Sequence, residues 1–224
     1  IVKDSVVIGR GWTQAGGRPH AEAVALKQAG SATAGATIYV SLEPCAHESA
    51  RGPACTDSLI AAKPARVVGA LTDPDPRTAG KGFDRLEAAG IMVERDAMTA
   101  EARAGLAGFI SRIINGRPHV TLKLATSLDG CIAMADGSSR WITGDAARAH
   151  AHLERARCDT ILVGAGTVRA DEPKLDVRLP GLEDRSPRRI MLGSGNAPEG
   201  WEAIRTPQDI AKLDCNSLIV EGGA

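Results

Sequence analysis

The chain has 224 residues, room for one large or two ordinary domains. Apolar residues make up 43% of it but aromatic ones only 3%, so its core must come from Val, Ile, Leu and Ala, which suits α/β layers. A formal net charge of zero with no long basic run argues against nucleic acid as the main partner, and no apolar stretch of about 18 residues offers a membrane span.

The chain opens with a strand at Val2, a turn at Lys3-Asp4-Ser5 and a second strand at Val6-Val7-Ile8. Pro19 is predicted to open a helix, because proline is favoured in the first turn, and Gly30 to close it as the residue just past the end. That puts His20 and Glu22 in the first turn. Ala36 to Ser41 reads as a buried strand, ended by Pro44-Cys45. A loop rich in Gly, Ser and Pro follows, and Cys55 starts the next helix, which Pro64 stops. Arg66 to Leu71 is a strand, Asp73-Pro74-Asp75-Pro76 a stiff loop, Gly82 to Ala89 a helix ended by Gly90, and Ile91 to Val93 a strand. Thr99 to Asn115 is predicted as one amphipathic helix with Leu106, Phe109, Ile110, Ile113 and Ile114 on one face. Asn115-Gly116-Arg117-Pro118 breaks it, so the expected domains are 1–116 and 117–224.

The second part opens with His119 to Ala125, an alternating strand, and a turn at Leu128-Asp129-Gly130. Asp145 to Arg157 is helical. Thr160 to Val163 is a continuous apolar run of buried-strand type. Gly164-x-Gly166 after it allows a close phosphate approach or simply a tight turn. A Rossmann fingerprint is disfavoured, since Arg169 stands where its third glycine belongs. Arg188 to Leu192 and Leu218 to Val220 are further strands, with a short irregular segment between them. Five cysteines, an odd number, do not make a disulfide framework, no signal peptide is visible, and a reducing cytoplasm is the expected location. Cys131, Cys158 and Cys215 have no partner motif and are expected to be buried thiols.

The chemistry concentrates in His20-Ala21-Glu22, Glu43-Pro44-Cys45 and Pro53-Ala54-Cys55. One imidazole and two thiols are a zinc donor set, and a catalytic zinc keeps a fourth position for water, whose pKa falls towards ~7. Glu22, two residues past the imidazole, is the carboxylate that would move protons. His-x-Glu followed by Pro-Cys and a second cysteine is the pattern of zinc deaminases. Helix N-termini, being positive, favour a cysteine thiolate. The plainer alternatives are a first-turn histidine, a surface glutamate and two core cysteines, or a structural zinc with His47 as fourth ligand. The second cysteine follows the first by ten positions rather than three, which belongs to one branch of the deaminases.

Gly11-Trp12, Ala15-Gly16, Pro19-His20-Ala21-Glu22, Leu42 to His47, Gly52 to Cys55, Asp73-Pro74 and Gly80-Lys81-Gly82 resemble the deaminase half of the bifunctional riboflavin-biosynthesis deaminase-reductases. Leu122 to Ala125, Ser127 to Gly130, Trp141 to Thr143, Thr167 to Asp171, Leu175, Arg178 and Glu221-Gly222-Gly223 resemble the reductase half. The resemblance implies a cytidine-deaminase-like α/β/α domain followed by a dihydrofolate-reductase-like α/β domain whose C-terminal part is missing. It implies that His20, Cys45 and Cys55 bind zinc and that Glu22 shuttles protons. It implies NADPH at Ala125, Trp141, Thr167, Asp171, Ser194 and Gly223. Ser139, Arg155, Leu175, Arg178, Glu221 and Lys123 would hold the substrate, a phosphorylated pyrimidine. Two arginines suit a phosphate through bidentate pairing; the plainer alternative for either is solvated surface charge, and for Lys123 an exposed strand lysine. A homo-oligomer, dimer or tetramer, is expected.

Three departures from the family stand out. Its N-terminal helix and Pro-Asn-Pro…Val-Gly segment, part of the pyrimidine pocket, do not precede Ile1. Thr13 occupies a position where many members carry histidine. The sequence stops at Gly223-Ala224 where the family continues with a helix and more sheet, so segments are expected to be omitted. Two rivals remain: a nucleoside or tRNA-base deaminase, which leaves the matches after Pro118 unexplained, and a catalytically inactive zinc-binding module.

Overall fold

The computed structural model describes residues 1–139 and 141–222; Gly223, one of the expected cofactor residues, lies outside the described residues. The chain forms two compact units, Ile1–Leu106 and Ala107–Ala224.

The first unit begins with a hairpin, β1 (Val2–Lys3) and β2 (Val6–Val7). Asp4 and Ser5 at its turn have positive φ, 48° and 61°, the conformation whose twist matches the flanking strands. Helix α1 (Ala21–Ala29) starts later than the proline rule predicts. His20 is its N-cap, in extended conformation, and Pro19 lies outside. The correction matters, because a capping position leaves the imidazole at the mouth of the helix. Then come β3 (Thr37–Val40), α2 (Cys55–Ala62), β4 (Arg66–Gly69), α3 (Lys81–Ala88), β5 (Met92–Glu94) and α4 (Thr99–Gly105). The sheet runs β2-β1-β3-β4-β5, antiparallel on the hairpin side and parallel from β3 to β5. α1 packs on α2 and α2 on α3. Ile38, Leu59, Val67, Phe83 and Leu86 form the buried centre. Aliphatic side chains supply nearly all of this core, as the composition requires, with Phe83 its one fully buried aromatic.

The single helix expected over 99–115 is two. α4 ends at Gly105, and α5 (Ala107–Asn115) belongs by its packing to the second unit, against β6 (His119–Lys123) and β10 (Ser217–Glu221). Leu106, at φ −109° and ψ 14°, is the break. Gly105 and Gly108 weaken a helix on either side of it, and Gly108 lies so close to the Asn216 backbone that a Cβ would stand 3.0 Å from its carbonyl oxygen.

The second unit continues with α6 (Asp145–Ala156), β7 (Thr160–Gly164), α7 (Ala165–Asp171), β8 (Arg188–Leu192) and β9 (Glu202–Ile204). Its sheet is parallel throughout, in the order β6-β10-β7-β8-β9. β7 is buried as its unbroken apolar run predicts. Gly164 and Gly166 do not make a tight turn: Gly164 is the N-cap of α7, with ordinary negative φ. The segment expected to be irregular before β10 holds β9 and a 3-10 helix, Pro207–Lys212, closed by a Thr206–Asp209 capping box. Of the three cysteines expected inside, Cys215 is buried, Cys158 half-buried and Cys131 exposed. Cys131 sits in a loop turned by Ser127, whose hydroxyl accepts its N–H, and no hydrophobic layer covers it.

Because Phe83 fills the centre of the first unit, Phe83→Ala is expected to cost about 3–5 kcal/mol. The measurement is the urea midpoint of that unit's unfolding transition.

Candidate active sites

Three elements converge in the first unit. The mouth of α1 brings His20, the segment after β3 brings Cys45, and the first residue of α2 is Cys55. The His20 Nδ1 lies 3.6 Å from the Cys45 Sγ and 3.3 Å from the Cys55 Sγ. The three ligand atoms fall within 4.8 Å of one another. Gly11 permits the approach of the preceding segment, since a Cβ there would stand 2.1 Å from the Ala21 carbonyl oxygen.

The electrostatics favour a thiolate at Cys45. The Cys55 backbone N–H, at the positive end of α2, donates to its sulfur over 3.3 Å, and the Arg18 guanidinium stands 3.8 Å away. The neighbouring Cys55, with His20, outweighs burial and lowers the Cys45 pKa, while the neighbouring Cys45 and burial push Cys55 up. Two buried thiols and one half-exposed imidazole, with an open side, are a donor set that fits zinc with one position left free. His47 does not join them; its Nδ1 lies 3.4 Å from the Thr78 hydroxyl. Glu22, in the first turn of α1, is desolvated, which raises its pKa despite its backbone N–H and the nearby His20. A carboxylate beside the donor set is equipped to pass protons. Arg18 carries no motif and was not legible as part of this site.

The second unit holds a cavity of about 620 Å³ outside the C-terminal ends of its strands, where open α/β sheets take ligands. Lys123, Ala125, Ser139, Trp141, Arg155, Thr167, Asp171, Leu175, Arg178 and Glu221 all line it. Ser194 does not line it; it lies beyond β8, between two glycines whose carbonyls accept from Arg205. Among the described residues, five cations and three carboxylates line the cavity, a balance that suits an anionic ligand. The mixture of apolar wall, Trp141 and cations fits an extended phosphate-bearing cofactor such as NADPH.

Glu221 is its buried anchor. Arg155 donates to it twice, Nε to Oε1 over 2.6 Å and Nη2 to Oε2 over 2.8 Å, and Lys123 stands 3.5 Å off. Burial alone would raise its pKa; Arg155 and then Lys123 hold it below the usual carboxylate range. Arg178 pairs with Asp176 over 2.8 Å and with the His152 Nε2 over 3.2 Å. A guanidinium only donates, so Nε2 is the acceptor there; at Nδ1 the Arg178 backbone N–H stands 3.3 Å away and the Asp176 carbonyl 3.0 Å away. Burial, then Arg155 and Arg178, lower the His152 pKa. Arg148 stacks over Trp141 at 4.6 Å. The sequence reading missed Arg148 and His152. The signal was available: Arg148, His152 and Arg155 are spaced four and three apart on α6, one helical face.

Arg155→Met removes the counter-charge of a carboxylate only 6% exposed, so it is expected to destabilise the second unit by about 3–5 kcal/mol at pH 7. Glu221 has a folded-state pKa below its unfolded one, so its contribution is present above the unfolded value of about 4.3 and fades as pH falls through the folded value. Urea unfolding of wild type and variant should therefore differ most near neutrality and converge in acid.

The comparisons with known proteins agree with these two sites. A profile of the cytidine and deoxycytidylate deaminase zinc-binding region matches residues 1–71, and one of the RibD C-terminal domain matches residues 118–204. The riboflavin biosynthesis protein RibD of Escherichia coli is 46% identical over 207 positions, covering 88% of this chain and 56% of that protein. RibD of Mycobacterium tuberculosis is 44% identical, covering 97% of this chain and 68% of that protein. The solved structure of Acinetobacter baumannii RibD superposes with a TM-score of 0.85 at 35% identity, covering 100% of this chain and 72% of that one. A Thermotoga maritima structure described as a diaminohydroxyphosphoribosylaminopyrimidine deaminase/5-amino-6-(5-phosphoribosylamino)uracil reductase reaches 0.85 at 32%, covering 99% and 72%. The chain spans about half the length of several curated relatives that it matches. Its fold is a cytidine-deaminase-like unit followed by one of the RibD C-terminal, dihydrofolate-reductase-like type. With its length covered at such identity and its two sheets superposed, the chain belongs to the RibD family of riboflavin biosynthesis proteins.

Proposed function

We propose that the chain catalyses two successive steps of riboflavin synthesis: hydrolytic deamination of a diamino-hydroxy-pyrimidine bearing a phosphoribosylamino group, then reduction of the ribosyl to a ribityl chain. The observation that carries this reading is the His20, Cys45, Cys55 donor set with Glu22 beside it. The first unit would perform the deamination and the second the reduction, with α5 on the reductase side of the boundary that the sequence suggests at residue 116. The enzyme would be a cytoplasmic homo-oligomer whose partner is a small phosphorylated pyrimidine. Among the described residues, no helix is long and apolar enough to cross a membrane.

In the first step, His20, Cys45 and Cys55 would hold zinc, which when bound would supply a Lewis acid that brings a water pKa to about 7. Glu22 would take the first proton of the attacking water and pass it to the ring nitrogen, then take the second from the hydroxyl added to the ring and pass it to the departing amine, so that ammonia leaves and a carbonyl remains. Its raised pKa suits both directions of transfer. In the second step, bound NADPH would supply the hydride that reduces the opened ribose, with a proton taken up from solvent. Ala125, Trp141, Thr167 and Asp171, which line the cavity, would hold the cofactor, together with Gly223. Ser139, Lys123, Arg155, Leu175, Arg178 and Glu221 would hold the substrate. Arg178, the more exposed of the two arginines, is the better phosphate partner, because Arg155 already spends its fork on Glu221.

Glu22→Gln is expected to lower the deamination rate by about 10²–10⁴-fold with zinc still bound, read by ammonia release alongside metal analysis. A full rate with zinc bound would overturn the mechanism, and zinc without ammonia release in the wild type would favour an inactive module. NADPH oxidation is expected only with the deaminated product; equal oxidation with dihydrofolate would point to a different reductase.

A further inference from the structure

Glu43, two residues before Cys45, is buried, 2% exposed, and has no part in the chemistry above. Its carboxylate accepts four backbone N–H groups. Oε2 receives Asp73 over 3.1 Å and Gly80 over 2.8 Å; Oε1 receives Gly82 over 2.8 Å and Phe83 over 3.3 Å. Three of these donors belong to the N-terminus of α3, whose own N-cap, Gly80, has no side chain to satisfy them. Glu43 therefore caps α3 from outside, with its negative charge at the positive helix end.

The other side of the same short segment is fixed by α2. The Thr56 hydroxyl donates to the Pro44 and Cys45 carbonyls over 3.2 and 2.9 Å, and the Thr56 N–H to Cys45 over 3.2 Å. Residues 43–45 are thus clamped between the N-termini of two helices, and proline fixes the φ between the clamps. The fit leaves no slack: a Cβ at Gly82 would stand 2.2 Å from the Pro44 carbonyl oxygen and 3.0 Å from the Glu43 carboxylate.

Resting on the zinc-deaminase reading, we propose that Glu43 is a positioning residue: by capping α3 it locks the Cys45 sulfur at ligand distance and sets the metal affinity of the centre. A glutamine there would turn an amide N–H₂ towards backbone N–H groups, so the lock fails while the shape stays nearly the same.

The test compares Glu43→Gln with Leu86→Ala, which damages α3 through the core and leaves the carboxylate in place. Zinc affinity is measured by competition with a chromophoric chelator, and the cobalt-loaded chain is read by its thiolate-to-cobalt absorption. Glu43→Gln is expected to weaken zinc by about 10–100-fold and to shift the cobalt spectrum. Leu86→Ala is expected to lower the unfolding midpoint with affinity and spectrum unchanged. Should Glu43→Gln not fold, Glu43→Asp, which keeps the charge on a shorter arm, carries the same measurement and is expected to be intermediate. Wild-type affinity and spectrum in the Glu43 variant, or an equal loss in Leu86→Ala, overturns the inference alone. A wild-type chain that takes up no cobalt overturns the zinc reading as well.

Discussion

The first unit is built around the difficulty of holding two sulfurs and an imidazole at one point. Thiolates repel one another, and burial penalises their charge, so the fold must supply positive potential without occupying the open side. Two helix mouths do so. α1 starts from its N-cap His20 and α2 begins on Cys55, so their unpaired N–H groups face the centre, and one of them reaches the Cys45 sulfur directly. α1 leads into β3 and α2 into β4, and because these two strands are parallel both mouths open at the same edge of the sheet.

Two of the buried carboxylates, Glu43 in the first unit and Glu221 in the second, solve desolvation differently. Glu43 is satisfied by four neutral backbone donors, which fix geometry at four points of the chain. Glu221 is satisfied by Arg155 and Lys123, whose charges outweigh the cost of burial. The first arrangement holds backbone, as suits a ligand-bearing loop. The second holds a long side chain in one orientation at the edge of a cavity, leaving its remaining N–H, which reaches the Asp176 carbonyl, to tie down the opposite wall.

Much of this was legible in the sequence because the signals were local. The buried strand at Ile161 announced itself as an apolar run, and the ligands as His-x-Glu and Pro-Cys; β3, expected to be buried, buries only Ile38 and leaves Tyr39 exposed. The failures have a common cause in contacts between distant residues. The break at Leu106 follows from the two halves of the expected helix packing in different units. Proline at 19 promised a helix start, but His20 takes an extended cap conformation instead. β9 is only three residues long, and its pairing with β8 decides it rather than any periodicity. Arg18 and Glu43 act through chain segments some thirty residues away, which no spacing rule exposes.

The ten-position step between the two cysteines shows how cheaply the centre acquires a wall. With three positions between them, both thiols would come from one helix mouth. With ten, Cys45 comes from a strand end and the loop between is free to fold over the site. Loop-closure entropy grows only slowly with length, so the added residues cost about 1 kcal/mol. Against that, the loop makes fixed contacts: Ser49 and Gly52 bridge its neck, the Arg51 guanidinium donates to the Gly16 carbonyl over 2.6 Å, and Arg18 donates to the Pro53 carbonyl over 3.1 Å. The last two run to the segment that leads into His20. The loop that separates the thiols is thereby tied to the segment carrying the imidazole, and arginine-to-carbonyl hydrogen bonds link the segments that bear the three ligands.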